Sequence, residues 1–248
     1  TINAPVTPNG GNLTLNTPTG SIRINAPITI GGAGAVTLNY NTASPTNLTF
    51  ALGSSINYGS TDNGGTLNIN GNSYSLIYSM ANLDALDGLN AVDGSTVTTF
   101  GNGLAGFSAR ATNLSAAGTT YTRGLVGTNS GASSFTGTFE GLGNIVSNLT
   151  IAATGIQHVG LFGHAEGASI RDIGVVGGSI NGQAQVGALV GRLVGSGSIA
   201  NSYATAMVSG TGTTVFNIGG LVGDQSGTSI ITNSYATGAV SGSGQTVD

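Results

Sequence analysis

Residues 186–191 read VGALVG, and residues 218–223 read IGGLVG. Behind each comes a second matched run: residues 199–205 are IANSYAT and residues 231–237 are ITNSYAT. Gly191 to Gly223 and Tyr203 to Tyr235 are both 32 residues apart. Two separate segments held at one offset mean one structural unit used twice. A period of this length marks a solenoid, in which each unit buries its apolar face only by stacking on the next. The expected fold is an all-β solenoid, a β-helix. Function is then expected on extended surfaces rather than in a pocket.

Composition agrees. The chain has 248 residues, 44 of them glycine, with no Cys, no Trp and only 6% charged residues. An ordinary globular domain carries about 25% charged residues. Low charge with much glycine can mean disorder, but 39% of the residues are hydrophobic and Val, Ile and Leu recur in short alternating runs. The chain is therefore read as folded and β-rich. The cations are Arg23, Arg110, Arg123, Arg171 and Arg192, and the net charge is −4. No basic patch is available to neutralise phosphates, so nucleic acid is not an expected partner. No run of eighteen apolar residues exists, so no membrane-spanning helix is expected. Zero cysteine excludes a disulfide framework and a cysteine-based zinc site. Because the chain starts at Thr1 without Met and stops at Asp248 directly after a repeat, it is read as a piece of a longer protein.

Three parts follow along the chain. Residues 1–77 are short alternating strands, such as 12–16 (NLTLN), 21–25 (SIRIN), 35–39 (AVTLN) and 66–70 (TLNIN), expected as β-helix coils. Breaks such as Asn70-Gly71 favour left-handed turn conformations. Residues 78–134 are an irregular excursion, continuous with the rod. Residues 79–88 (SMANLDALDG) predict one short helix: Ser79 caps it, Met80, Leu83 and Leu86 share a face, and Gly88 ends it. Residues 135–248 return to repetition, with glycine-bounded apolar strands at 159–163, 186–191 and 218–223 and an earlier cousin at 124–127 (GLVG). About ten coils at roughly 4.8 Å each would give a rod near 50 Å long.

If the copies are successive coils, Tyr203 and Tyr235 stack roughly 4.8 Å apart across a parallel ladder. Ser202, Ala204 and Val208 share one parity and are expected to point inward, leaving Asn201, Tyr203 and Thr205 outward. Ile199 and Ile231 have the Tyr parity, so a bend or bulge at Asn201 and Asn233 is needed.

The search for chemistry returns little. His158 and His164 flank VGLFG with Glu166 as the nearby carboxylate. No third-ligand pattern accompanies them, so they are read as exposed strand-edge histidines, with no metal or other cofactor expected. Asp84 and Asp87 are one helical turn apart and read as a solvated helix face. Arg171 and Asp172 are adjacent, and point to opposite faces if the strand is regular. Glu140 is expected to brace a turn. A polysaccharide-cleaving β-helix needs two carboxylates on adjacent rungs within about 10 Å. Ser and Thr abound without a base to activate them, so no catalytic residue is assigned and no enzyme is expected. Asn12, Asn47, Asn113 and Asn148 lie in Asn-x-Ser/Thr sequences, at the frequency chance supplies in so Asn- and Thr-rich a chain.

The pairing of GGLVG (219–223) with NSYATG (233–238) resembles the GLUG-type repeats of large secreted bacterial surface proteins; the 186–191 copy departs at Ala188 and Ala206. Residues 135–151 (FTGTFEGLGNIVSNLTI) resemble the segment preceding such repeats in filamentous-haemagglutinin-like exoproteins, and residues 2–76 resemble the strands leading into it. The resemblance implies a right-handed parallel β-helix, export through an outer-membrane partner barrel by two-partner secretion, and an extracellular or cell-surface location. It implies roles in adhesion, aggregation and biofilm formation, with a polysaccharide or a host or neighbouring cell as partner. The motif fixes no binding residue. From the residues themselves, Tyr203 and Tyr235 are the pair chosen for ligand contact, because outward tyrosines suit ring stacking with sugars. The rival expectations are a ligand-free spacer and, behind it, a polysaccharide-degrading enzyme. The chain is expected as a monomer or end-to-end associated through its open ladder edges.

Overall fold

The computed structural model describes residues 1–44, 46–128 and 131–244. It is a parallel β-solenoid of about seven turns, mostly strand, with one short helix. The ten coils expected from sequence become about seven because a coil takes close to 30 residues and residues 78–106 go largely to a helix and turns.

In the N-terminal coils three short strands make one turn. Ile22–Ile24, Ile28–Thr29 and Ala35–Tyr40 stack on Leu48–Phe50, Ile56–Asn57 and Thr66–Ile69 in parallel register. Ile22 faces Leu48, Ile28 faces Ile56, and Val36 faces Leu67. A further coil is contributed by Leu13–Thr17 with bridges from Ile2 to Ile24 and Val6 to Ile28. Alternation puts Ile24, Ile28, Leu38, Leu48 and Ile56 fully inside. Each such side chain contributes about 1.5–3 kcal/mol by leaving water, and stacking like on like keeps them in one core.

The Asn70-Gly71 pair then reverses the chain. Both residues have positive φ, 49° and 85°, as a two-residue type I′ hairpin requires. Thr66–Ile69 therefore pairs antiparallel with Asn72–Ile77, whose second half pairs parallel with Phe107–Arg110. One nine-stranded sheet runs through both halves of the molecule, but its strands change direction at this hairpin. The helix follows as the sequence predicts. Met80–Asp84 is α-helical, and Ala85–Asp87 continues as a 3₁₀ turn. The Asn82 N–H donates to Ser79 Oγ, and Gly88 closes the end at φ 74°. Leu83 and Leu86 are buried in the second core.

The repeat coils use four strand segments. Thr138–Glu140, Ser169–Arg171, Ser198–Ala200 and Ile230–Thr232 stack on the first face. Ile145–Ala152 and Gly174–Gly182 lead the second, where Tyr203–Ala204 with Met207–Gly212, and Tyr235–Ala236 with Val240–Gly244, continue the ladder. Gln157–Val159, Ala184–Gly187 and Phe216–Gly219 form the third, and Phe162–Glu166, Val190–Val194 and Val222–Gln225 the fourth. The corner between the first two faces is a column of left-handed residues: Leu142, Asp172, Asn201 and Asn233, at φ 53°, 55°, 50° and 49°. Asn tolerates this conformation better than most side chains. The corner resets the parity, so Ile199 is buried before it and Ser202, Ala204 and Val208 are buried after it. The bend needed at Asn201 and Asn233 is present.

The V-G-x-L-V-G signature has a steric cause. A Cβ on Gly187 would lie 2.3 Å from Val190 O, and one on Gly191 would lie 2.5 Å from Val159 N of the preceding coil. Gly219 and Gly223 repeat the arrangement, at 2.0 Å from Val222 O and 2.4 Å from Val186 N. The third and fourth faces of neighbouring coils pass backbone against backbone, and only glycine leaves room.

Candidate functional site

The N-terminal coils meet the repeat coils at the left-handed corner column. Ile56 N–H donates to Leu142 O, and Tyr58 N–H donates to Ala111 O. At the centre of this seam lies Arg171, with a side chain 10% exposed. Its Nε sits 2.9 Å from Asp172 Oδ2 and 3.1 Å from Glu140 Oε2. Nη1 donates to the Tyr40 hydroxyl at 2.9 Å, and Nη2 donates to Leu48 O at 3.0 Å. Regular alternation would send Arg171 and Asp172 to opposite faces. They do not go there, because Asp172 is the left-handed corner residue and its carboxylate folds back onto the guanidinium. Glu140 braces a turn, accepting from Leu142 N–H at 3.0 Å, and is also an ion-pair partner across coils.

Electrostatics at the seam follow from burial. Burial first, and the Asp172 charge second, push the Glu140 carboxyl above the usual carboxylate range. Burial also raises Asp172, against the pull of Arg171. Burial opposes the Arg171 charge, but Glu140 and Asp172 together outweigh it and hold the guanidinium ionised. Two carboxylates on adjacent rungs are thus present in space, although sequence reasoning gave Glu140 only a turn-bracing role. Both are buried and already held by the same arginine.

Beside this network the seam opens into a groove of about 210 Å³. Phe50 and Leu52 line one side, Tyr203 and Tyr235 the other, with Asp172 and Asn201 among the polar lining groups. Tyr203 and Tyr235 are Cα partners in the ladder, their rings 5.4 Å apart and 13° from parallel. Tyr203 lies over Gly174, where a Cβ would come within 2.6 Å of the ring. Asn201 Nδ2 donates to Asp172 Oδ1 and to Leu48 O, both at 3.1 Å. Asn233 Nδ2 reaches Asn201 Oδ1 at 3.5 Å, continuing the column. The two tyrosines singled out from the sequence are therefore brought together. The opposite wall, residues 49–53, comes from a coil about 150 positions away and left no signal near the repeat.

The histidines depart from expectation. His164 is 1% exposed, not a solvent-facing edge residue; it sits opposite Arg192 in the ladder with the His158 ring against its own. Its ring centroid lies 5.1 Å from that of His158, and both its ring nitrogens lack a hydrogen-bond partner. Burial, with His164 and Arg192 adding to it, pushes His158 down to about 4. Along the ladder His164 is followed by Arg192 and then Asp224, which pair Nε to Oδ2 at 2.9 Å. Among the described residues no group of three or more His, Cys, Asp or Glu could hold a metal ion. Asp84 and Asp87 do not form a solvated helix face either. They are half-buried and accept from the N–H groups of Ala91 and Leu89, tying down the loop after the helix. Three of the Asn-x-Ser/Thr asparagines have structural partners: Asn12 Oδ1 accepts from Ala35 N–H and Asn113 Oδ1 from Ile145 N–H, each across coils, and Asn47 Nδ2 donates to Asn41 O.

Comparison with known proteins gives one match: residues 182–209 and 214–241 each fit the GLUG motif. No curated protein and no solved structure matches the chain. Each motif copy spans one coil's worth of structure, from the paired glycines through the asparagine corner to the stacked tyrosine. The chain is a parallel β-solenoid that carries two GLUG repeats.

Proposed function

We propose that the chain is a rod-like segment of a secreted bacterial surface adhesin, attaching cells to a matrix polysaccharide, to a host surface or to one another. It is non-catalytic, and the parent protein leaves the cell through an outer-membrane partner transporter. The observation that carries this is the in-register stacking of outward, uncharged polar rows. Thr150 faces Ser179, Asn181 faces Ser209, and Ser209 faces Ser241. Such rows offer many weak, identical contacts along a stiff scaffold, and multivalency turns these into useful avidity. Much of the scarce charge is spent inside: Arg110, Glu140, Arg171 and Asp172 are all buried. Attachment through the remaining surface would therefore depend little on ion pairs and resist salt.

A specific observation favours a second reading, the ligand-free spacer. Asn181 Nδ2 donates to Ser209 Oγ at 2.9 Å, and Thr211 Oγ1 donates to Asn181 Oδ1 at 3.0 Å. Part of the outward polar surface is satisfied by itself. The deciding test is binding of the purified chain to immobilised neutral and anionic matrix polysaccharides at low and high salt. Retained, saturable binding that survives salt is the adhesive outcome. A blank on every surface leaves the spacer.

A further inference from the structure

Building on the adhesive assignment, we propose that the seam groove is a subsite for one neutral pyranose unit of a polysaccharide. Its size is the first argument. At about 210 Å³ the groove is smaller than the ~300–1,000 Å³ of pockets that enclose drug-sized ligands, a scale that suits one ring-sized group. The walls are the second. Leu52 is 78% exposed and Tyr235 50% exposed, two large side chains that both line the groove, one from each half of the molecule. With Phe50 and Tyr203 they give the amphipathic aromatic and aliphatic sides that suit the C–H faces of a sugar.

The polar groups decide the class of sugar. The Asp172 carboxylate is fully buried and engaged by Arg171 and Asn201, so it sets the charge beneath the groove, while Asn201 and Asn233 offer amides fixed by the corner column and Tyr203 and Tyr235 offer hydroxyls. These are partners for hydroxyl groups. The groove lining includes no arginine or lysine, so nothing there favours a uronic acid or a sulfated sugar, and Asp172 disfavours both. The site also depends on the docking of the two halves. Residues 49–53 come from the N-terminal coils, while 172–174, 201–203 and 233–235 come from the repeat coils. A sugar bound there touches both and stabilises the seam by mass action.

The test is calorimetric titration of the whole chain with cellohexaose, maltohexaose and a galactose oligomer, against hexagalacturonate as the anionic probe. Leu52→Ser and Tyr235→Ala change exposed positions, so both variants are expected to fold. Met207→Ala alters an equally exposed side chain that does not line the groove. A neutral oligomer is expected to bind, with each groove variant weakening it at least tenfold and the Met207 variant leaving it unchanged. Binding that ignores Leu52 and Tyr235 overturns the groove but leaves the adhesive rod standing. Equal or tighter binding of hexagalacturonate overturns the neutral class. If none of the neutral oligomers binds, the subsite falls. If the chain also fails on immobilised polysaccharides, polysaccharide adhesion falls with it.

Discussion

Replacing Gly191 by alanine isolates the steric cause of the repeat signature. The added Cβ would sit 2.5 Å from Val159 N, 2.6 Å from Gly163 O and 2.6 Å from His158 C. All three are backbone atoms of the preceding coil, so no side-chain rotation relieves the contact. Reaching an ordinary 3.4 Å separation requires the coils to part by roughly 0.9 Å, a sizeable fraction of the ~4.8 Å strand spacing. Overpacking of this kind costs about 1–3 kcal/mol, and the rigidity of the neighbours puts Gly191→Ala in the upper half of that range. For a chain of this size, 1 kcal/mol shifts Tm by about 2–4 °C, so a drop of roughly 4–12 °C is expected. Gly31→Ala is the control. Gly31 has no atom within 4 Å of its would-be Cβ and no left-handed φ, and its substitution should be neutral or stabilise by about 0.4–1 kcal/mol. Thermal melts followed by circular dichroism give the comparison, and hydrogen exchange locates the loss in the repeat coils. If the two variants melt together, backbone close approach is not what holds glycine at 191.

Removing the seam cation by Arg171→Met strands two buried carboxyls and should cost about 3–5 kcal/mol; limited proteolysis is expected to cut the N-terminal coils first, and an unchanged digestion pattern would mean the network does not hold them. Glu140 sits above its ordinary value of 4.5, so the folded chain keeps a proton that the unfolded chain releases. Its contribution is full below about 4.5 and is lost as pH rises through the raised value. Glu140→Gln should flatten that alkaline loss in a series of melts. His158 is shifted the other way, from 6.5 to about 4, so the unfolded chain takes up a proton that the folded chain refuses. This contribution is full above 6.5 and declines as pH falls toward 4; burial lowers His164 too, so His158→Gln should reduce the acid-side slope, and an identical slope would place the titration elsewhere.

The extent to which sequence revealed this molecule depends on the distance over which each feature is decided. The helix at Met80–Asp84 was legible because its caps, Ser79 and Gly88, lie within a few residues of its apolar face. The corner at Asn201 and Asn233 was legible because Ile199 and Ala204 have conflicting parity and both end up buried. The tyrosine stack followed from a repeat offset alone. Glu140 and Asp172 were not legible as a pair. Thirty-two positions separate them, and a left-handed residue turns Asp172 back toward Arg171. The buried histidine was missed because alternation describes one strand. His164 is buried against neighbours outside its own strand, the His158 ring and the coil that carries Arg192.

By itself the sequence determined the solenoid, its repeat length, which side chains face inward, and the glycines and asparagines that shape each coil. All of these rest on local conformational preference and on like residues stacking on like, information carried within one or two coils. Tertiary structure alone decided that the strand after the Asn70-Gly71 turn pairs back on Thr66–Ile69 and then joins the repeat half, that the first coils dock on the corner column, and that a groove opens where they meet. The contacts that make the seam join residues 123, 131 and 153 positions apart, Arg171 to Leu48, Arg171 to Tyr40 and Asn201 to Leu48. No periodicity encodes such pairs; they exist only once two separately stacked cores have been brought side by side.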